Sequence, residues 1–309
     1  MVRENINELA IVIPAYKIDF FRATLDSLAA QTCKDFTVYV GDDCSPNDFE
    51  TIIAEYKDKL DIHYTRFEKN VGGINLVNQW NRCVELSQGE PWIWLFSDDD
   101  ELEDNCVQLL LDEIKDNGEK YDVFHFDTIV IDDESKIVRF SHKYPIVLSG
   151  YEYYKKKMMT KIDSFVVENV FSRSSYERNH GFTHFDLAWG SDTASWVMFA
   201  GEMGIKTIPG ANVKWRKSEI NITPNTSPQV LERKFKALLE FLQWAINTFK
   251  SYPQSRAFNF LATTKRFHYY SKGMHVNRIS ELSEDYLKAN FGYMGFKVVI
   301  LLTKLFKQW

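Results

Sequence analysis

Three consecutive aspartates, Asp98, Asp99 and Asp100, follow directly on Ser97 and the apolar run Trp92-Ile93-Trp94-Leu95-Phe96. Carboxylates this close at the end of a buried strand repel one another by about 4 kcal/mol per pair at an effective dielectric of about 20, so a cation or solvent has to balance them. A hard divalent ion, Mg2+ or Mn2+, favours carboxylate oxygen and fills its other positions with water or phosphate. One or two of these aspartates plus a nucleotide diphosphate would therefore complete its shell. An EF-hand is excluded, because Asp98 to Leu109 lacks the required glycine. The alternative reading is electrostatic capping, with Asp98 to Asp100 and Asp104 at the start of the next helix, worth roughly 0.3 to 1 kcal/mol each. A second acidic pair, Asp42-Asp43, ends another apolar run. Capping explains either group separately but not their arrival at one edge.

The elements that must position these groups alternate. LAIVIPAY from Leu9 reads as a buried strand, and FRATLDSLAAQ as a helix with Phe21, Leu25 and Leu28 on one face. FTVYVGDD alternates Phe36, Val38 and Val40; DFETIIAEYKDKL is helical and DIHYTRFEKN a third strand. INLVNQWNRCVEL places Leu76, Trp80 and Val84 on one helical face, PWIWLF is a fourth strand, and NCVQLLLDEIKDNG is a helix ended by glycine. Such alternation predicts a mostly parallel sheet with helices on both faces and ligands beyond the carboxyl ends of the strands. Pro14-Ala15-Tyr16, Asp42-Asp43, Asn70 and Ser97 to Asp100 all fall at such ends. From Tyr121, YDVFHFDTIVID, KIVRF and FVVENVFS read as strands and SGYEYYKKKMM as a helix; beyond about Asn221 the pattern is helical. The expected organisation is a sheet domain over 1–220 and a helical extension over 221–309.

At 309 residues, 45% hydrophobic and 26% charged, the chain has the composition of a folded globular protein. Its net charge of −6 and lack of a zinc-finger or RNP-like motif argue against a nucleic-acid partner. The four cysteines form no CxxC pair and the seven histidines no zinc spacing. With no signal-peptide pattern and no apolar run of about 20 residues, a cytoplasmic location is expected, and the acceptor sequence Asn221-Ile222-Thr223 is discounted as a glycosylation site. The terminal GYMGFKVVILLTKLFKQW carries Lys297, Lys304 and Lys307. It reads either as an interfacial helix at the inner face of a membrane or as a core helix closing the tail; modest amphipathicity favours the second.

The chain resembles the family 2 inverting glycosyltransferases of GT-A fold through IVIPAY, VGDDCS, NVGG, LFSDDDEL and the segment Gly181 to Arg216. The resemblance covers roughly residues 8–220. It implies an α/β fold of GT-A type, with a mixed, mostly parallel sheet flanked by helices and a C-terminal helical tail. It also implies a metal-dependent enzyme moving a sugar from a nucleotide diphosphate donor, a UDP-sugar, to a hydroxyl of a surface glycan or lipid-linked acceptor. Carried over, it places Pro14, Ala15 and Tyr16 around the base and ribose, Asp42 on the base edge and Asn70 beside the nucleotide. Ser97, Asp98 and Asp99 fall on the Asp-any-Asp motif, with Asp99 on Mn2+ or Mg2+ and Asp98 near the ribose. Ser97 departs from the usual first aspartate, although a hydroxyl can still hydrogen-bond ribose or a metal-bound water. Asp192 of WGSDTASW takes the place of the general base, with Asp186 its rival in the same loop. WRKSEIN, after the last expected strand, offers Arg216, Ser218 and Asn221 to a diphosphate, or forms an ordinary surface loop. The rival functions are a noncatalytic nucleotide-sugar or glycan-binding relative and a sugar nucleotidyltransferase. The latter's glycine-rich basic loop is missing after the first strand.

Overall fold

The computed structural model describes residues 7–218 and 226–306. Its first half alternates as the sequence pattern predicts: β1 (Leu9–Ala15), α1 (Phe21–Ala29), β2 (Phe36–Asp42), α2 (Phe49–Ala54), β3 (Ile62–Arg66), α3 (Leu76–Val84), β4 (Trp92–Leu95), β5 (Glu101–Leu102) and α4 (Cys106–Asn117). Then come β6 (Val123–Ile131), β7 (Ile137–Phe140), β8 (Val147–Leu148), α5 (Gly150–Met158), β9 (Asn169–Ser172), α6 (Arg173–Arg178), α7 (Ser191–Ala200) and β10 (Ile205–Arg216). The main sheet order is β3-β2-β1-β4-β9-β6-β10-β5, with β7 on β6 and β8 on β10. β3, β2, β1 and β4 run parallel, as do β6 and β10, while β9 lies antiparallel between β4 and β6.

Near-continuous apolar sequence in β1 follows from burial on both faces, as parallel strands under two helical layers require. Successive residues feed opposite cores: Ala10 and Val12 join Trp80 and Leu95 on one side, Leu9, Ile11 and Ile13 join Trp94 and Phe124 on the other. The first of these cores continues without a break into Phe235 and Phe241 of α8 (Pro228–Thr248) and Phe267 of α9 (Ser255–Ser271). Last comes α10 (Val276–Phe306), interrupted at Gly292, where φ is +74° and ψ 174°. Among the described residues no helix is long and apolar enough to cross a membrane.

One expected alternative is corrected here. Asp98 to Asp100 do not cap a helix: their turn runs into β5, which pairs antiparallel with β10, and α4 begins only at Cys106 with no acidic residue in its first turn. The turn instead docks sideways against the end of β10. A register shift between Ile208 and Asn212, with Gly210 at φ +100°, carries that strand on to Arg216 opposite Ile131.

Trp94 anchors the strand that delivers the aspartates. Fully buried, it stacks on Phe126 with centroids 5.4 Å apart and donates its indole N–H to the Val167 carbonyl at 2.7 Å. Trp94→Ala is expected to lower the unfolding free energy by about 3 to 5 kcal/mol in urea titration; a loss under about 1 kcal/mol would contradict this packing.

Candidate functional site

Within one turn the three aspartates meet three different environments. Asp98 Oδ2 accepts the backbone N–H groups of Tyr16 and Lys17, each at 2.7 Å, stapling the end of β1 to the end of β4. Asp99 accepts the Ser97 hydroxyl at 2.9 Å on Oδ1, and its Oδ2 lies 3.4 Å from Lys17 Nζ. Asp100 Oδ1 accepts the Arg216 backbone N–H at 2.6 Å, while its carbonyl accepts the Thr24 hydroxyl at 2.8 Å. All three are buried. Burial first, and the Asp99 charge second, push the Asp98 and Asp100 carboxyls up from the ordinary range. Burial and mutual repulsion thus act together on the carboxyls of this turn. Among the described residues no group of three or more His, Cys, Asp or Glu side chains is placed to hold a metal ion.

Arg216 departs from the expected diphosphate contact. Its side chain is 0% exposed. Nε donates to the Asp99 carbonyl at 2.8 Å, Nη1 to the Asp132 carbonyl, and Nη2 to Glu101 Oε1 and, at 2.9 Å, to Ser135 Oγ. The guanidinium also sits 4.5 Å over the Phe20 ring. It faces inward because Glu101, brought alongside by the β5–β10 pairing, supplies its counter-charge. Arg216 therefore braces the aspartate turn from behind. Ser218 is buried as well, and Asn221 lies outside the described residues.

Asp42, expected at the base edge, is likewise 0% exposed. Oδ1 accepts Ser45 N–H at 2.7 Å; Oδ2 accepts the Tyr64 hydroxyl at 2.7 Å and Arg66 Nη1 at 2.9 Å. In this arrangement it shapes the edge from beneath and does not present an oxygen to a base. Asp43 does similar work next door, accepting Val71 N–H at 2.6 Å, Gly72 N–H at 2.7 Å and the Arg82 guanidinium. A Cβ at Gly72 would stand 2.6 Å from Asp43 Oδ2, so this glycine is required for close approach and not for a left-handed turn. Asn70 ties the same loop, donating to the Asp43 carbonyl at 3.2 Å and accepting Gly73 N–H at 3.0 Å. Pro14 and Ala15 close β1, and Tyr16 is 45% exposed at its mouth.

Asp192 is the second residue of α7, behind Gly190 at φ +98°. Among the described residues its carboxylate makes no ion pair, and it accepts the Thr193 hydroxyl at 3.4 Å. Burial raises its pKa against the opposing pull of Lys157. Asp186, by contrast, is engaged by Arg233 of α8 at 2.9 and 2.7 Å, which holds its carboxyl below the usual range. The segment that leads through Asp186 into α7 is fixed to α3, where Asn81 accepts Phe182 N–H at 3.2 Å and Trp80 meets Phe182 edge-on. Sequence reasoning missed Lys17, Arg82, Glu101 and Lys157. Only Lys17, a cation immediately after the first strand, carried a local signal.

Residues 10–179, more than half of the chain, match the family model for Glycosyl transferase family 2. A 127-residue stretch is 29% identical to poly(ribitol-phosphate) beta-N-acetylglucosaminyltransferase TarS of Staphylococcus aureus, spanning 40% of this chain and 20% of that protein. An uncharacterized glycosyltransferase of Rickettsia typhi is 34% identical over 92 residues, 29% of this chain and 27% of that one. The chain thus spans well under a third of the curated relatives' length. The crystal structure of S. aureus TarS 1-349 in complex with UDP-GlcNAc superposes with a TM-score of 0.61 at 16% identity, covering 97% of this chain and 92% of that one. At that identity the likeness shows the fold, a GT-A type sheet with flanking helices.

Replacing Arg216 by Met removes the buried guanidinium from Glu101, leaving it Lys214 and Ser135, so guanidinium unfolding should show a loss of about 3 kcal/mol, with Arg216→Lys recovering only part of it. Wild-type stability in Arg216→Met would contradict the bracing role.

Proposed function

The chain belongs to glycosyl transferase family 2, and from that premise we propose that it transfers a sugar, with inversion, from a UDP-sugar to a hydroxyl of a surface glycan or lipid-linked acceptor. The observation that carries this reading is the buried Ser97–Asp100 turn, stapled by Asp98 to the end of β1 at the carboxyl edge of parallel strands. Nucleotides bind at that edge in sheets of this kind. The UDP-GlcNAc and UDP complexes of the structurally similar TarS support a UDP-sugar as the donor class.

In the proposed reaction Asp192 accepts the proton of the acceptor hydroxyl as that oxygen forms its bond to the anomeric carbon. The bond from that carbon to the diphosphate breaks on the opposite side, and nucleoside diphosphate leaves. Asp192 is favoured over Asp186 because the latter is neutralised by Arg233. Asp99, with Asp98 beside it, would hold Mn2+ or Mg2+, whose chemistry when bound is to neutralise charge on the departing diphosphate. Lys17 adds a positive charge next to Asp99 at the same mouth. The exposed ring of Tyr16 offers a surface for the base or ribose. The reading places the reaction in the cytoplasm, at the inner face of a membrane where the acceptor is lipid-linked.

Turnover with a panel of nucleotide-sugars, read as released nucleoside diphosphate, tests this. Asp192→Asn should lose about two to four orders of magnitude in rate and Asp186→Asn far less. Pyrophosphate as product, or nucleotide-sugar binding without turnover in the wild type, would contradict the proposal in favour of its rivals. Because the folded pKa of Asp192 is raised, the base keeps its proton to higher pH than an ordinary aspartate. The rate is therefore expected to fall, on acidification, at a pH above the usual aspartate range; an acid limb within that range would contradict the assignment.

A further inference from the structure

Beyond Gly292 the last helix carries two apolar faces. Val299, Ile300 and Thr303 face inward and are buried. On the other side Met294, Val298, Leu301 and Leu305 recur at helical spacing and are 40 to 71% exposed, with Tyr293 beside them at 56%. Exposed Lys297 and Lys304, seven residues apart, line one edge of this stripe, and Lys297 Nζ lies 4.5 Å over the Tyr293 ring. No Asp or Glu occurs from Tyr293 to Phe306, in a chain whose net charge is −6. We infer that this outer face docks on an anionic lipid surface, with the helix lying in the plane of the interface.

Charge and geometry select that occupant. Apolar side chains enter the boundary between head groups and acyl chains while the lysines, on long aliphatic stems, reach back to lipid phosphates. A second copy of the same face would set Lys297 and Lys304 against their own counterparts with no acid in the stripe to answer them. Among the described residues no helix is long and apolar enough to cross a bilayer, and lying in the interface plane needs no such length. The surface shares no residue with the candidate site, and flotation reads no turnover, so its test does not depend on the transfer reaction.

Flotation of the full chain with vesicles of phosphatidylglycerol and phosphatidylcholine, against vesicles of phosphatidylcholine alone, reads the association directly. The wild type should float with the anionic vesicles and stay behind with the neutral ones. The double variants Leu301→Asp/Leu305→Asp and Lys297→Glu/Lys304→Glu, all at exposed positions, should each reduce partitioning by about tenfold or more at an unchanged melting temperature. Absence of wild-type flotation, or wild-type flotation by both variants, would overturn the inference. So would a concentration-dependent dimer in sedimentation that both variants abolish.

Discussion

Mutual repulsion among Asp98, Asp99 and Asp100, packed into one buried turn, is the constraint to which the surrounding structure answers. Left alone, such a turn would move toward solvent or take up protons. Here it is held by donors from three separate parts of the chain: backbone N–H groups after β1, the hydroxyl of Ser97, and Arg216 at the end of β10. None of these donors cancels the charge completely, since burial and the Asp99 charge still push Asp98 and Asp100 up. On the proposed reading, a cation that arrives with its own phosphate ligands would supply the balance that remains.

The same logic extends along the sheet edge. Asp42 and Asp43 are not spare acids around a pocket; each is saturated by groups from the following strand and loop, Tyr64 and Arg66 for one, Val71, Gly72 and Arg82 for the other. The acidic residues of the candidate site therefore fall into two kinds. Some fix the backbone that forms the walls of the cleft. Asp99 keeps an oxygen within salt-bridge range of the Lys17 side chain, and Asp192 keeps a carboxylate without an ion pair among the described residues. On the proposed reading, the cation ligand and the proton acceptor come from the second kind.

Much of this was legible in the sequence where the information is local. The apolar runs of β1, β2 and β4, the periodicity of α3 and the adjacency of Ser97 to Asp100 each occupy a few residues, and the structure has them as expected. The burial of Arg216 was not legible, because WRKSE has the composition of a surface loop and that burial depends on a counter-charge from Glu101, more than a hundred residues earlier. The partners of Asp42 were not legible for the same kind of reason, as they come from a neighbouring strand whose register no local pattern specifies. The capping alternative failed because a two-residue strand, too short to carry a periodic signal, stands between the aspartates and the helix. At the far end of the chain, apolar sequence on all sides of a helix did not reveal which face the fold would leave outside.

Calorimetric titration of UDP into the protein, with and without Mn2+, addresses the charge-balance account most directly. The account predicts that Mn2+ strengthens UDP binding in the wild type and that this gain disappears in Asp99→Ala. Equal affinity with and without the ion, or a metal gain that survives Asp99→Ala, would contradict it.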